Sequence, residues 1–315
     1  MTKICVTIKK EFFITLILLS SVIPYELSYA MNANKDNLYT TVKVLSEVTP
    51  ARNYHNLESL NEIARYIKGK FEEYGYAPQE QKFMAEGNEY KNIIATVGPK
   101  DAPTIVIGAH YDVCGDQLGA DDNASGIAGL LEIARLIQAN KPVLKYRIEM
   151  VAYTLEEPPF FKSNLMGSYI HAKSLKDNKR EIIGMIGLEM IGYFTDKENS
   201  QNYPLSPMKF LYPTKGDFIA LVGRFSDGRL LKHLKKNMKK TAVNVSVLKA
   251  PSFVPGVDFS DHLNYWSMGF SAVMVTDTAF YRNPNYHQTS DTIETLDFDK
   301  MGNVVEGLYL SIVNL

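Results

Sequence analysis

Residues 108–126, GAHYDVCGDQLGADDNASG, carry one histidine and four aspartates within nineteen positions. His110 ends an apolar run, TIVIGAH, that is typical of a strand, and Asp112 follows two positions later. Because residues i and i+2 point to the same side of an extended chain, His110 can bind a metal while Asp112 holds its other ring nitrogen. His110 is therefore a candidate metal ligand, and Asp112 is the candidate acceptor that orients it. Taken alone, this His-x-Asp spacing more often marks a plain surface pair.

Two pairs of adjacent acids lie next to predicted elements. Asp121 and Asp122 come just before a helix that begins near Ala124, so one of them can cap the helix while the other is left for a second role. Glu156 and Glu157 follow the strand-like run IEMVAYT. Two carboxylates that diverge from one strand end can divide the work, one binding a metal and the other acting as a general base.

A lone acid and two histidines complete the candidate residues. Glu189 lies in MIGLEMIGYF, where a bare charge is costly, so pairing with a metal or another cation is predicted. His287, in NPNYHQTSDT, and His262, in FSDHLNYW, are each a metal ligand, a substrate contact or a surface side chain. The other histidines are predicted to be solvent exposed: His55, His171 and His233.

Helical and strand-like segments alternate along the chain. Apolar side chains recur at three- and four-residue spacing in NLESLNEIARYIKGKFEEYGY and ASGIAGLLEIARLIQAN, which predicts amphipathic helices. Short apolar runs such as YRIEMVAYT, IIGMIGLEM and SAVMVTD predict strands. This order predicts an α/β fold with a largely parallel sheet and helices on both faces. In such sheets chemistry gathers at the carboxyl ends of the strands.

Composition sets broad limits on partners and organisation. The chain has 315 residues, 45% of them hydrophobic and 22% charged, with a net charge of −1. This balance is ordinary for a globular protein and gives no long-range field for nucleic acid or acidic lipid, so neither is predicted as a partner. No linker interrupts the sequence after residue 40, and we predict one domain over residues 31–315. Cys114 is the one cysteine of that domain and is interpreted as a small neutral side chain or a loop thiol.

The N-terminus has the features of a secretory signal peptide. Lysines precede the apolar run FFITLILLSSVI, and Ser28 and Ala30 occupy positions −3 and −1 of a cleavage site after Ala30. We predict removal of residues 1–30, a mature chain that begins at Met31, and a secreted or periplasmic protein without a membrane anchor. An uncleaved anchor is the alternative, although the apolar run is short for a membrane span.

Six short motifs follow one another in the order GAHYDV, GADDNASG, TLEEPP, GLEMIGYF, SDH and YHQTSDT. Together they resemble the zinc-dependent aminopeptidase family of the bacterial leucyl-aminopeptidase type, which are co-catalytic di-zinc exopeptidases of clan MH. The resemblance runs from about residue 40 to the C-terminus. It implies a three-layer α/β/α sandwich around a mixed, largely parallel sheet, with two zinc ions that share one carboxylate.

The resemblance also implies a role for each candidate residue. Asp122 matches the acid that bridges the metals, Glu156 matches the general base, and Asp112 matches the acceptor that orients a histidine ligand. The implied zinc ligands are His110 and Glu189 at one metal, Glu157 and His287 at the other, and Asp122 at both. A cis bond between Asp122 and Asn123 is expected. The archetypal members carry aspartate where this chain has Glu189, a difference that bears on the affinity of that metal position more than on the reaction.

The resemblance implies that the substrates are peptides. The leading function is the release of N-terminal amino acids, with water attacking the peptide at a two-zinc centre. His262 or a nearby tyrosine is the candidate for the group that stabilises the oxyanion. The alternatives are a glutaminyl cyclase-like enzyme with one zinc and a binding protein that keeps an inactive peptidase fold. Carboxypeptidase and dipeptidase activity stay open, as does the side-chain preference, because pocket residues come from loops.

Overall fold

An eight-stranded mixed sheet is the central element of the computed structural model, which describes residues 32–315. Residues Ala33–Leu315 form one compact unit. The predicted signal peptide, residues 1–30, lies outside the described residues and stays a prediction. Within residues 32–315, no helix has the length and apolar character that a bilayer crossing requires.

Helices and strands alternate through most of the described chain. The helices are α1 (Lys35–Glu47), α2 (Leu57–Glu73), α3 (Gly126–Asn140), α4 (Gly167–Asp177), α5 (Gly228–Met238), α6 (His262–Ser267) and α7 (Phe298–Val313). The strands are β1 (Gln79–Ala85), β2 (Asn88–Val97), β3 (Thr104–His110), β4 (Arg147–Tyr153), β5 (Ile182–Glu189), β6 (Phe218–Gly223), β7 (Asn244–Lys249) and β8 (Ala272–Thr276). The predicted α/β class is confirmed, and the apolar runs that predicted strands coincide with β3, β4, β5 and β8.

The order of the strands explains why the carboxyl ends of four strands lie next to one another. Along the sheet the strands run β1-β2-β4-β3-β5-β8-β6-β7. The four central strands, β4, β3, β5 and β8, are parallel to one another, and β6 and β7 are also a parallel pair. The pairs β1–β2, β2–β4 and β6–β8 are antiparallel. The prediction of a mixed, largely parallel sheet is confirmed, and the carboxyl ends of the four central strands lie side by side.

Side chains of the central strands alternate between two faces, and each face has its own apolar core. On β3, Ile105 and Ile107 belong to the core that α1, α2, α3, α5 and α7 cover, whereas Val106 belongs to the opposite core. That second core includes Leu175 of α4 and Trp266 of α6. Burial on both faces accounts for the unbroken apolar runs of these strands. The expected three-layer arrangement is confirmed.

The two N-terminal helices differ in how well their sequences predict them. The helix predicted over NLESLNEIARYIKGKFEEYGY is α2, and the apolar positions behind that prediction are buried: Leu60, Ile63, Ala64, Ile67 and Phe71. Gly75, at φ +91°, follows α2 in the left-handed backbone conformation that favours glycine. Helix α1, which begins after Asn34, was not predicted from the sequence. The Asn34 side chain accepts hydrogen bonds from the backbone N–H groups of Asp36 and Asn37 and so caps the helix.

Close packing of β3 against β4 gives a test at Gly108. A Cβ atom at this position would overlap the ring of Tyr153, which is fully buried and has its hydroxyl 2.6 Å from that of Tyr265. We expect Gly108→Ala to lower the free energy of unfolding by about 1–3 kcal/mol, because the ring cannot move away without disturbing that contact. Equilibrium unfolding in urea measures the change.

Gly69, on the exposed side of α2, is the matched control. A Cβ atom there meets no other described atom within 4 Å. Alanine also loses less backbone entropy than glycine when a helix forms. We expect Gly69→Ala to raise the free energy of unfolding by about 0.5–1 kcal/mol. Equal effects of the two substitutions would contradict the packing described for β3.

Candidate metal centre

Most of the candidate residues meet at the carboxyl ends of the central parallel strands. His110 is the last residue of β3, and Glu189 is the last residue of β5. Glu156 and Glu157 follow the end of β4, and His287 lies in the loop that follows β8. Because β4, β3, β5 and β8 are neighbours with the same direction, these side chains are brought to one place although they are far apart in sequence.

Asp122 reaches the same place from an irregular turn, Ala120–Ser125, that comes immediately before α3. Its backbone and that of Asn123 depart from helical geometry, and the bond between the two residues is cis, as expected. The side chain of Asn123 donates a hydrogen bond to the carbonyl of Leu188 at 2.8 Å and accepts one from the backbone N–H of Met190 at 3.1 Å. These bonds join the turn to the end of β5.

Asp122 faces a different histidine with each of its carboxylate oxygens. Its Oδ1 lies 3.3 Å from Nε2 of His110, and its Oδ2 lies 3.2 Å from Nε2 of His287. Glu189 belongs to the first group, with Oε2 3.4 Å from Nε2 of His110. Glu157 belongs to the second group, with Oε2 3.4 Å from Nε2 of His287. The structure thus brings the five predicted ligands into two groups of three donors that share Asp122.

The donor atoms of this cluster fit a metal. Within residues 32–315, Nε2 of His110, Oδ1 of Asp122 and Oε1 of Glu157 are buried without a hydrogen-bond partner. A buried polar group left unpaired costs about 1–3 kcal/mol, and buried charges in proteins are paired or coordinate metals. The same three side chains each offer a ligand atom within 4.8 Å of the other two. Imidazole and carboxylate are ligands that zinc takes in catalytic sites, so these residues fit zinc.

Burial and crowding change the proton affinity of these groups. Burial raises the pKa of Glu157 to about 7, and the charge of Asp122 acts in the same direction. Burial lowers the pKa of His287, but hydrogen bonds to Asp122 and Glu157 outweigh it, and the resulting pKa is about 10. The protein without metal therefore holds protons at neutral pH on groups that a metal would bind.

Glu156 stands beside the two groups of donors. Its Oε2 lies 4.0 Å from Nε2 of His110, and its side chain lines the same cleft as the predicted ligands. Burial raises the pKa of Glu156 well above its ordinary value; the charges of Glu157 and Glu189 add to the effect and that of His110 opposes it. A carboxyl group with this environment is suited to accept and return a proton.

Asp112 has a wider role than sequence analysis predicted. Nδ1 of His110 lies 3.2 Å from the backbone carbonyl oxygen of Asp112 and 3.6 Å from its Oδ1. The two carboxylate oxygens accept hydrogen bonds from the backbone N–H groups of Glu156, at 3.2 Å, and Glu157, at 3.1 Å. Asp112 therefore ties the end of β3 to the end of β4, and its backbone contributes to the orientation of His110.

Two acids outside the predicted ligand set help to position Asp122. Asp291 accepts hydrogen bonds from the backbone N–H groups of Asp121, at 2.9 Å, and Asp122, at 3.0 Å. Asp121 in turn accepts from the backbone N–H of Gly192 at 3.0 Å and from the side chain of Asn283 at 2.8 Å. Asp291 belongs to the YHQTSDT motif, so the sequence carried a signal for it, but its partners are apparent only in the folded chain.

Arg52 is a further positioning residue without a sequence signal. It is 1% exposed, and its guanidinium donates hydrogen bonds to four backbone carbonyls: those of Leu45, Tyr111, Leu118 and Gly119. Burial lowers the pKa of Arg52 to about 10. One buried cation thus holds α1 against both ends of the loop between His110 and Asp122.

The SDH motif packs behind Glu189, and this placement corrects the prediction for His262. Ser260 donates a hydrogen bond to Oε2 of Glu189 at 2.7 Å. His262 is 0% exposed, and its Nε2 donates to the carbonyl of Val257 at 2.8 Å. Burial lowers the pKa of His262 to about 4, so the ring is neutral. Among the described residues His262 is not one that lines the cleft, and it is therefore a buried structural residue rather than a substrate contact.

Two other histidines are more enclosed than predicted. His171 is 2% exposed, with Nδ1 2.6 Å from the hydroxyl of Tyr265. His233 is half-buried, with Nε2 2.7 Å from the carbonyl oxygen of Ser311. His55 is exposed, as predicted. The polar sequence around His171 gave no sign that this part of α4 packs against α6.

A cleft of about 150 Å³ opens over the cluster. Its polar wall consists of Asp122, Glu156, Glu157, Glu189 and His287. A second cavity, of about 70 Å³, shares Glu189, Phe259 and Tyr286 with the cleft and is lined mainly by apolar and aromatic side chains. The candidate metal centre therefore lies where an acidic cleft meets an apolar pocket.

Known proteins share this combination of fold and motifs. Residues 92–311 match the peptidase family M28, and they make up more than half of the chain. The chain belongs to peptidase family M28. This membership identifies it as a metallopeptidase, and the M28 family is zinc-dependent. Several of its relatives are named leucine aminopeptidase.

Relatives of this M28 peptidase cover nearly its whole length. It is 46% identical over 292 residues to the uncharacterized protein YfbL of Escherichia coli strain K12, a match that covers 90% of this chain and 89% of YfbL. It is 28% identical over 291 residues to a probable leucine aminopeptidase of Trichophyton verrucosum, which covers 87% of this chain and 71% of that protein.

Solved structures share the fold at lower identity. LapB from Legionella pneumophila superimposes with a TM-score of 0.70 at 22% identity and covers 90% of this chain and 73% of its own. A Bacteroides thetaiotaomicron glutaminyl cyclase bound to N-acetylhistamine has a TM-score of 0.67 at 18% identity and covers 90% of this chain and 99% of its own. The fold is therefore common to peptidases and cyclases, and the activity has to be argued from the site.

The raised pKa values predict that zinc competes with protons. Because the pKa of His287 is about 10 and that of Glu157 about 7 without metal, both groups must lose protons to bind zinc near neutral pH. We expect the apparent zinc affinity to rise from about pH 6 to pH 8, with net proton release. Isothermal titration calorimetry in buffers of different ionisation enthalpy measures both quantities.

Two substitutions, His287→Gln and His55→Gln, test whether the released protons come from the cluster or from histidines in general. Loss of the His287 imidazole removes a proton that zinc displaces, so fewer protons should be released. His55 is exposed and outside the cluster, so its substitution should leave the proton count unchanged. An affinity that does not vary with pH in the unsubstituted protein would contradict the prediction.

Proposed function

We propose that this M28 peptidase releases N-terminal amino acids from peptides and holds two zinc ions to do so. The observation that carries the proposal is the position of Asp122, with one carboxylate oxygen facing His110 and the other facing His287. A carboxylate so placed is suited to bridge two metals. We call the two groups of three donors the half-sites. One contains His110, Glu189 and Asp122, and the other contains His287, Glu157 and Asp122.

The residues around the half-sites supply the remaining functions. Zinc bound there would polarise a peptide carbonyl and lower the pKa of a water molecule. Glu156, in the cleft but in neither group of donors, accepts the proton of the attacking water and returns it to the leaving amine. Hydrogen bonds from the backbone of Glu156 and Glu157 to Asp112 fix the two glutamates relative to His110.

The apolar cavity beside Glu189 supports a preference for substrates whose N-terminal side chain is apolar. Its walls include Phe218, Ala220 and Met274 from the sheet, together with Tyr286 beside the cleft. A side chain that enters this cavity would place the adjoining amine and carbonyl next to Glu189 and the proposed zinc sites. Large uncharged residues, such as leucine and phenylalanine, match these walls better than acidic or basic residues.

The division of labour between the adjacent glutamates is the main test. Glu156→Gln keeps the shape of the side chain but cannot accept a proton. We expect it to retain two zinc ions while kcat falls by about 10²–10⁴ and KM changes little. Zinc content by atomic absorption and steady-state cleavage of a leucine p-nitroanilide measure these quantities.

Glu157→Gln is the matched control in the neighbouring position. Because Glu157 is a proposed ligand, its substitution should leave one half-site without a donor. Zinc content should then fall by one ion per chain, and activity should fall with it. If Glu156→Gln loses a zinc while Glu157→Gln keeps both, the two assignments are wrong.

One zinc per chain in the unsubstituted protein, with cyclisation of N-terminal glutamine, would favour the cyclase alternative. Two bound zinc ions without cleavage of any free-amino peptide would favour the binding protein.

The proposed specificity pocket can be tested by filling it. Ala220, on β6, is 5% exposed and lines the apolar cavity. We expect Ala220→Phe to lower kcat/KM for leucine substrates by about tenfold or more, with a smaller loss for alanine substrates, since alanine needs less of the cavity. Kinetics on aminoacyl p-nitroanilides of both residues give the ratio.

Ala242→Phe introduces the same bulk outside the pocket and serves as the control. Ala242 is exposed in the segment before β7, so its substitution should leave the ratio of leucine to alanine cleavage unchanged. A parallel loss for both substrates in Ala220→Phe would indicate general damage to the site and would contradict the assignment of the cavity.

We further propose that the enzyme acts after export, in the periplasm or outside the cell. Residues 1–30 support this through their basic start, apolar run and small residues before the expected cleavage site. Sequencing the N-terminus of the exported protein, which should begin at Met31, tests the proposal.

A further inference from the structure

Cys114 lies beside one of the two groups of donors. Its Sγ, a carboxylate oxygen of Glu157 and a ring nitrogen of His287 all lie within 4.8 Å of one another. Cys114 is a free, half-buried thiol. Sulfur is a ligand that zinc and other borderline or soft divalent metals accept together with imidazole and carboxylate.

A second observation at this position also indicates a ligand. Oε1 of Glu157 is buried and, within the described part of the chain, has no hydrogen-bond partner, although Glu157 is 4% exposed. Its other oxygen, Oε2, is the one that faces His287. Glu157 therefore belongs to the group that contains the sulfur and has one carboxylate oxygen without a hydrogen-bond partner in the described chain.

The loop that carries Cys114 is fixed to its surroundings at two residues that follow the thiol, Gly115 and Gln117. Gln117 donates a hydrogen bond to the backbone carbonyl of His287 at 2.8 Å, which ties the loop to the ligand itself. Asn53 donates to the carbonyl of Gly115 at 2.6 Å. The distance between sulfur and imidazole is thus set by the fold rather than by an unattached loop.

Among residues 32–315, the cleft is lined by Glu157 and His287 but not by Cys114. A bond from Sγ to a metal at this position would therefore leave the side that faces the cleft open. Catalytic zinc sites need such an open position for water or substrate.

We infer that Cys114 is an additional metal ligand in the half-site of Asp122, Glu157 and His287. This inference rests on the proposed metal centre. When the metal binds, the S–H bond breaks, its proton passes to solvent and a metal–thiolate bond forms, so no oxidant or reductant is involved. The half-site would then take zinc or cadmium in preference to manganese, because thiolate favours softer cations.

Cobalt(II) gives a direct test, because a cobalt–thiolate bond has a sulfur-to-metal charge-transfer absorption that nitrogen and oxygen ligands lack. The full chain has two cysteines, Cys5 and Cys114. Cys5→Ser therefore leaves Cys114 as the one thiol. We expect the absorption band in cobalt-loaded Cys5→Ser protein and its loss in Cys5→Ser/Cys114→Ser protein.

Two further measurements use the same pair of proteins. Zinc should slow the reaction of the Cys114 thiol with a disulfide reagent by about tenfold or more, and a chelator should restore the rate. Cadmium affinity should fall by about tenfold or more in the double variant, while manganese affinity changes much less.

The decisive spectrum comes from Cys5→Ser protein, so the result does not depend on how the double variant folds. A cobalt-loaded Cys5→Ser protein without the charge-transfer band, whose thiol reacts equally fast with and without zinc, overturns the inference. Cleavage of leucine p-nitroanilide by the same protein is measured separately. Activity without the band leaves the proposed function standing and removes Cys114 as a ligand. The band without activity supports the ligand and contradicts the peptidase proposal.

Discussion

The carboxylate of Asp122 lies between two imidazoles, and the rest of the site depends on that placement. Around it, Glu156, Glu157 and Glu189 are buried at the same edge of the sheet, where acids without a counter-charge are costly. The two histidines offset part of the negative charge, and the M28 family is zinc-dependent. A site of this kind is built for cations, which explains why unpaired donor atoms are tolerated there.

The fold holds this crowded cluster in place through backbone hydrogen bonds. Asp112 accepts the N–H groups of Glu156 and Glu157, and Asp291 accepts those of the turn at Asp122. Arg52 carries the opposite charge, and its guanidinium donates hydrogen bonds to four backbone carbonyls. Side chains outside the two groups of donors therefore fix the loops, so that the donors themselves keep free lone pairs.

The cleft and the apolar cavity join at Glu189, and this junction links the proposed chemistry to a substrate class. In the proposed function, the polar wall would bind the reacting amide and the cavity would enclose an apolar side chain. The shared fold extends to glutaminyl cyclases as well as to aminopeptidases. What favours the peptidase is the pair of half-sites on either side of Asp122, together with a glutamate that belongs to neither.

The sequence by itself determined the fold class, the identity of the central strands and the positions of the acids that follow them. Apolar periodicity and strand ends are local properties, so residues such as His110, Glu157 and Glu189 could be chosen as candidates without coordinates. The tertiary structure decided which side chains are enclosed and which meet. It buried His262 against Val257 and placed Cys114 beside His287, because contacts between distant segments follow from strand order and loop packing.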